Sequence, residues 1–162
     1  MSNDGQFIAG ITGDNSIVVW DYITKKEIAV LKGQVGAVGT LCFSNDNKYL
    51  VSGGGNNVTG RKPKEHYNIR IWELSTSEMV SELSGHVDCV LKVKFTPDGK
   101  YIASASEDNS VRVWEVNTTE QIWKYESDCY FLSCSITPDG KYLAAPSRDE
   151  TIKLWDLKKI IK

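Results

Sequence analysis

The chain has 162 residues, 41% of them hydrophobic and 25% charged, the balance of a globular domain long enough to bury a sizeable core. A formal net charge of −2 gives no reason to expect a polyanion such as DNA as partner. No apolar run approaches the roughly 18 residues that would span a bilayer, and the opening MSNDGQFIAG has neither the basic start nor the long apolar segment of a secretory signal.

Two blocks recur along the chain. The first reads SNDGQFIAGIT, SNDNKYLVSGG, TPDGKYIASAS and TPDGKYLAAPS; the second, always downstream of it, reads SIVVW, NIRIW, SVRVW and TIKLW. Each second block ends in Trp followed by an acid: Trp20-Asp21, Trp72-Glu73, Trp114-Glu115 and Trp155-Asp156. The Trp-to-Trp spacings are 52, 42 and 41 residues, so one interval carries about ten extra. Alternation of apolar and polar residues predicts short strands, and the Asp-Gly or Asp-Asn step supplies the positive φ of a tight hairpin turn. Four such strands per copy form a small antiparallel sheet that cannot cover its own apolar faces, so neighbouring copies must stack. A period of 41–42 with this turn chemistry is that of propeller blades. Cys42, Cys89, Cys129 and Cys134 make no Cys-x-x-Cys pair and fall on strand-like segments; buried free thiols in a reducing compartment are expected, with disulfides or metal as the alternative.

Period, Gly85-His86, the Pro97-Asp98-Gly99 turn and the closing Trp-acid pair together resemble WD40 repeats, across essentially the whole chain. The resemblance implies an all-β fold of about four four-stranded antiparallel blades, arranged as a partial or open propeller. On that map a partial first blade spans 1–32, a second 33–84, a third 85–125 and a partial fourth 126–162. The first blade begins at its second strand, with its outer strand near Glu27–Leu31. The second opens on Gly33-Gln34 instead of Gly-His, with strands around Val38–Phe43 and Tyr49–Gly53 and a Gly/Asn/Pro-rich insertion over 54–68 made basic by Arg61, Lys62 and Lys64. The fourth lacks an outer strand. An arc of this kind leaves strand edges and an apolar face open, so the expectation is a piece of a longer protein, or else closure with a second copy.

His86, Ser104 and Asp108 invite reading as a hydrolase triad. The resemblance assigns them instead, with Trp114, to a structural hydrogen-bonded tetrad; no Gly-x-Ser-x-Gly elbow accompanies the serine. Blade two keeps Ser52 and Trp72 with Gln34 for His, blade four keeps Asp149 and Trp155 with Ala145 for Ser, and blade one keeps Asp14 and Trp20 with Gly10 for Ser. The third blade, the complete one, is therefore expected to be the most rigid.

The same resemblance points to the loop-bearing face as the place where a protein or peptide binds. Carried over by position, the candidates are Ala37 and Gly39 in blade two, Cys89 and Leu91 in blade three, and Tyr130 and Leu132 in blade four. Before the turn Asp stand Gly13, Glu107 and Arg148, and Arg61 and Lys62 rise from the insertion. Tyr130 and Arg148 are the strongest anchors, since these residue types are enriched at binding hot spots. Trp123, beside Tyr125, is expected half-exposed on the rim. The sequence thus reads as a non-enzymatic, cytoplasmic interaction scaffold without cofactor or metal, His66 and His86 lacking ligand-spaced companions. Neither nucleic acid nor membrane is an expected partner. The alternative is a regulatory propeller of a larger protein whose catalytic domain lies elsewhere.

Overall fold

The computed structural model describes residues 1–55 and 67–161. Its strands form four separate antiparallel sheets in chain order. β1 (Phe7–Ile11), β2 (Ile17–Asp21) and β3 (Glu27–Leu31) make the first, and β4 (Val38–Phe43), β5 (Tyr49–Gly54), β6 (Ile69–Glu73) and β7 (Glu78–Leu83) the second. The third contains β8 (Val90–Phe95), β9 (Tyr101–Ser106), β10 (Ser110–Glu115) and β11 (Gln121–Glu126). The fourth contains β12 (Ser135–Ile136), β13 (Tyr142–Pro146) and β14 (Ile152–Asp156), followed by a 3-10 turn at Leu157–Lys159. Each is a simple meander, so among the described residues the first sheet has no strand inside β1 and the fourth none outside β14. This is the architecture of a partial propeller.

The repeated blocks have local causes. In the first block a hydroxyl donates to the Asp two residues on: Ser2 to Asp4 (2.7 Å), Ser44 to Asp46 (2.7 Å), Thr96 to Asp98 (2.6 Å) and Thr137 to Asp139 (2.5 Å). The following Gly5, Asn47, Gly99 and Gly140 then turn the chain at φ between 57° and 76°, which Gly and Asn tolerate. The acid after each Trp has a local task too. Asp21 accepts the backbone N–H groups of Ile23 and Thr24, while Glu73 and Glu115 accept the hydroxyls of Thr76 and Thr118. These carboxylates close the turn into the outer strand.

Alternation puts one apolar set on each sheet face, and the sheets stack through three cores. Ile17, Val19, Ala29 and Leu31 of the first sheet meet Phe43, Leu50 and Trp72 of the second. Val51, Ile69, Ile71 and Leu83 on the second sheet's other face meet Val90, Val93, Phe95, Ile102 and Trp114. Ala103, Ala105, Val111 and Val113 then meet Phe131, Cys134, Leu143, Ala145 and Leu157 of the fourth. Each fully buried Leu, Ile or Val contributes about 1.5–3 kcal/mol. Turns also interlock: Asn47 donates to Asp4 (2.6 Å), Asn45 to the Pro97 carbonyl (2.6 Å), and Asn3 to Asn45.

Two features depart from the regular repeat. The inner strand of the fourth sheet shrinks to Ser135–Ile136. Pro146 stands where β5 and β9 have Gly53 and Ala105, and its carbonyl accepts the Leu132 N–H, so its missing N–H faces the inner strand and the ladder is interrupted there, to resume as a single bridge between Phe131 and Ser147. Trp123 is half-buried, with its ring T-shaped to Trp155 at 5.3 Å and stacked with Tyr125 at 6.4 Å, and so joins the packing between the third and fourth sheets. All four cysteines are free thiols.

Candidate functional site

The β9–β10 turn and the segment joining β7 to β8 lie at the same edge of the third sheet, and there the structure brings His86, Ser104, Asp108 and Trp114 together. The Trp114 indole N–H donates to Ser104 Oγ (2.8 Å), which in turn donates to His86 Nε2 (2.7 Å). His86 Nδ1–H donates to Asp108 Oδ2 (2.7 Å), which also accepts the Val87 N–H (3.2 Å). With the proton on Nδ1, every donor in this chain has an acceptor. Gly85 is required by close approach: a Cβ there would lie 2.7 Å from Arg112 Nη1 and 3.0 Å from the Trp114 ring.

Arg112 is the member that sequence reasoning missed. Its guanidinium donates to Asp108 (3.0 Å), Ser110 (3.0 Å) and Gln121 (2.9 Å), tying the turn to the outer strand, while Ser110 donates to the second Asp108 oxygen (2.6 Å). The signal was present in the sequence, since NIRIW and SVRVW both carry Arg on the Trp face of a buried strand. Arg70, the counterpart in β6, pairs with Glu82 at 2.8 Å.

Burial dominates the electrostatics. It pushes His86 below its ordinary value against the opposing pull of Asp108, so the ring is neutral near pH 7. Burial also opposes ionisation of Asp108. The hydrogen bonds from His86 and Ser110 and the Arg112 charge outweigh it and hold the carboxyl well below the usual range. The Ser–His–Asp distances are those of a triad, but Ser104 is 0% exposed and its oxygen is already engaged by the indole. In this arrangement the hydroxyl is closed to solvent.

The other sheets show what each substitution does. In the second, Gln34 takes the histidine's place: Trp72 donates to Ser52 (2.8 Å) and Ser52 to Gln34 Oε1 (3.0 Å). In the first, Gly10 makes room for the Trp20 ring, which a Cβ would approach to 3.2 Å. Asp14 and Asp149 turn their carboxyls to local caps, each drawn down to about 2 with the Thr12 or Thr151 hydroxyl as the largest favourable cause. Trp72 and Trp114, which have a serine, are sealed, whereas Trp20 and Trp155, which face Gly10 and Ala145, are half-buried. A sealed indole N–H needs an acceptor; a half-exposed one has water.

Around this frame lie the other candidates. Gly39 and Leu91 are the unpaired residues of bulges that open β4 and β8, the first exposed and the second half-buried. Ala37 is half-buried and its carbonyl accepts the Gly55 N–H. Gly13 is exposed at the β1–β2 turn. Cys89 is buried, and its sulfur and the carboxylates of Asp88 and Glu107 lie within 4.8 Å of one another. Burial first, then those two carboxylates, push the thiol up to about 12, so it is protonated at neutral pH. Arg148 donates to the Tyr130 hydroxyl (2.6 Å) with its guanidinium 5.2 Å from the ring centre, and Leu132 beside them is 50% exposed. Arg61 and Lys62 lie outside the described residues, as do Lys64 and His66.

A family model described as "WD domain, G-beta repeat" matches residues 25–59, 77–115 and 120–156. The anaphase-promoting complex subunit cdc20 of Dictyostelium discoideum is 30% identical over 110 residues, covering 68% of this chain and 20% of that protein. The uncharacterized WD repeat-containing protein sll1491 of Synechocystis sp. is 30% identical over 103 residues, covering 64% of this chain and 26% of that protein. The chain therefore spans about a fifth to a quarter of these relatives' lengths.

Proposed function

The chain belongs to the WD40 repeat family, and from that premise we propose that it is a protein-interaction module that holds a peptide or protein against the loop-bearing edge of its sheets. The observation that carries this reading is the Arg148–Tyr130 pair beside exposed Leu132. Arg and Tyr, pre-oriented on each other next to an apolar contact, make a hot-spot surface with little side-chain entropy left to lose. The buried Trp114–Ser104–His86–Asp108 chain belongs to the frame, keeping the neighbouring turn at a fixed height. Glu107, Cys89, Leu91, Ala37 and Gly39 continue the same edge, and blades limited at 32, 84 and 125 are part of this proposal, the last limit falling one residue before the end of β11. Location in the cytoplasm, and a partner that is neither nucleic acid nor lipid, are part of this proposal; no helix among the described residues is long and apolar enough to cross a membrane.

The test is a photo-crosslinking side chain placed at Leu132 and, as control, at Lys100 on the opposite edge. Expected are discrete protein adducts from Leu132 alone, with Arg148→Ala or Tyr130→Ala weakening the captured partner about tenfold or more. Adducts from Lys100 alone, or an affinity indifferent to both substitutions, would sink the reading. A second reading, a regulatory portion of a larger protein with its catalytic domain elsewhere, is favoured by the relatives' much greater length. It requires an open reading frame that extends beyond these residues into a catalytic domain.

A further inference from the structure

The first three sheets each end outward in one strand: β3, β7 and β11. At the same register each of these carries a bulge, which leaves Ile28, Val80 and Ile122 without a cross-strand partner. The three are exposed, at 42%, 47% and 37%. What surrounds them differs. β3 lies between Lys25, Lys26 and Lys32, and β11 contains Lys124; lysines on or beside an outer strand deter pairing with another chain. β7, EMVSEL, has no Lys, Arg or Pro, and none stands anywhere between Ile71 and Leu91. Met79 beside Val80 is also 47% exposed, so two consecutive apolar side chains stand outward there. The unpaired Val80 turns its carbonyl to the Ser81 hydroxyl (2.7 Å). Glu78 lies directly opposite Glu73 in the ladder, a repulsive placement, and neither joins an ion pair among the described residues. Arg70, the base nearest in the ladder, is buried and pairs with Glu82 at 2.8 Å.

We infer that the outer edge of β7 receives an extended, basic and aliphatic segment of a partner protein, which adds to the second sheet as a further strand. Neither end of the chain bears on this edge. Both faces of the second sheet are already covered, one by the first sheet and one by the third, and the open edge of β7 belongs to neither face. The backbone of β7 supplies a ladder to the incoming strand. Because the bulge interrupts the edge at Val80, pairing runs along Ser81–Leu83, and the side chains of Met79 and Val80 receive the partner's aliphatic residues. Glu73 and Glu78, held opposite one another, receive a Lys or Arg that relieves their repulsion. This strand edge is separate from the loop-bearing edge proposed above, and neither reading rests on the other.

The test is fluorescence anisotropy with a labelled peptide of alternating Lys and Val, about six residues long as strands usually are, titrated with the protein expressed from its whole reading frame. Expected is saturable one-to-one binding that weakens about tenfold or more with Val80→Lys, which sets a like charge in the edge. Met79→Lys serves instead if Val80→Lys alters the far-ultraviolet spectrum, and Ile122→Lys on β11 should leave the affinity unchanged. The same peptide with alternate backbone nitrogens methylated keeps its charge but loses its ladder, and should bind about tenfold more weakly, as should a peptide of alternating Glu and Val. A wild type that does not bind overturns the inference. So does binding that is indifferent to Val80→Lys or to methylation, or that Ile122→Lys weakens equally, since charge attraction alone then accounts for it. A peptide that binds the 162-residue chain but not the product of the whole reading frame overturns it too, because the protein's own chain then covers the edge.

Discussion

Replacing Ser104 with Ala removes one oxygen at the crossing of two hydrogen bonds. The hydroxyl accepts from Trp114 at 2.8 Å and donates to His86 Nε2 at 2.7 Å, and Ser104, Trp114 and His86 are 0%, 1% and 2% exposed. Water therefore cannot replace it. The loss comprises two net hydrogen bonds of about 1 kcal/mol each and part of the roughly 1–3 kcal/mol penalty for a buried donor left unpaired, together about 2–4 kcal/mol. The Trp ring itself keeps its packing against Val51, Ile69 and Ile71, so no cavity term enters. Urea denaturation reads the loss as a fall in midpoint at unchanged slope. Amide exchange, sheet by sheet, locates it in the third sheet, since stacked sheets need not open together. Ser52→Ala is the matched control and should cost less, because Gln34 is half-buried and has solvent to turn to. A Ser104→Ala loss below about 0.5 kcal/mol, within the range of ordinary surface changes, would refute the reasoning.

Three further outcomes are expected. Acidification destabilises the fold in two steps: folded His86 titrates below 6.5, so between its folded and unfolded values only the unfolded chain binds that proton, and stability falls as pH drops through about 6.5. Asp108, also depressed, adds a second loss as pH falls through about 3.8; stability curves against pH should show both limbs, and His86→Gln should abolish the upper one and shrink the lower one, since His86 helps hold Asp108 down. Arg112→Met strands the Asp108 carboxylate, whose side chain is 1% exposed, and should cost about 3 kcal/mol in the same denaturation assay; Arg112→Lys should not restore it, because one ammonium cannot span Asp108, Ser110 and Gln121. Burial pushes the Cys89 and Cys134 thiols up to about 12. Alkylation at pH 8 followed by mass spectrometry should modify half-buried Cys42 and Cys129 first, and early labelling of Cys134 would contradict the packing.

Sequence alone determined the repeat, the sheet class and the stacking, because these follow from local rules. Alternation in SIVVW or TIKLW fixes which side chains share a face, Asp-Gly and Asp-Asn fix the turns, and the acid after each Trp closes the next one. The residues of the Trp114–Ser104–His86–Asp108 chain were legible by another route, the resemblance to WD40 repeats, which assigns each of them a position within the period. What the tertiary structure decided depends on surroundings that no single repeat contains. Arg112 became the hub of the turn because β11 brings Gln121 to it, and Gln34 took over for histidine because its length reaches Ser52. Pro146 interrupted the inner strand of the fourth sheet through the direction in which its missing N–H faces. Most tellingly, TIKLW and SIVVW carry equivalent aliphatic pairs, yet Ile17 and Val19 are sealed while Ile152 and Leu154 stand in water. Identity of pattern fixes the face a side chain points to, and only the neighbour that arrives decides whether that face is core or surface.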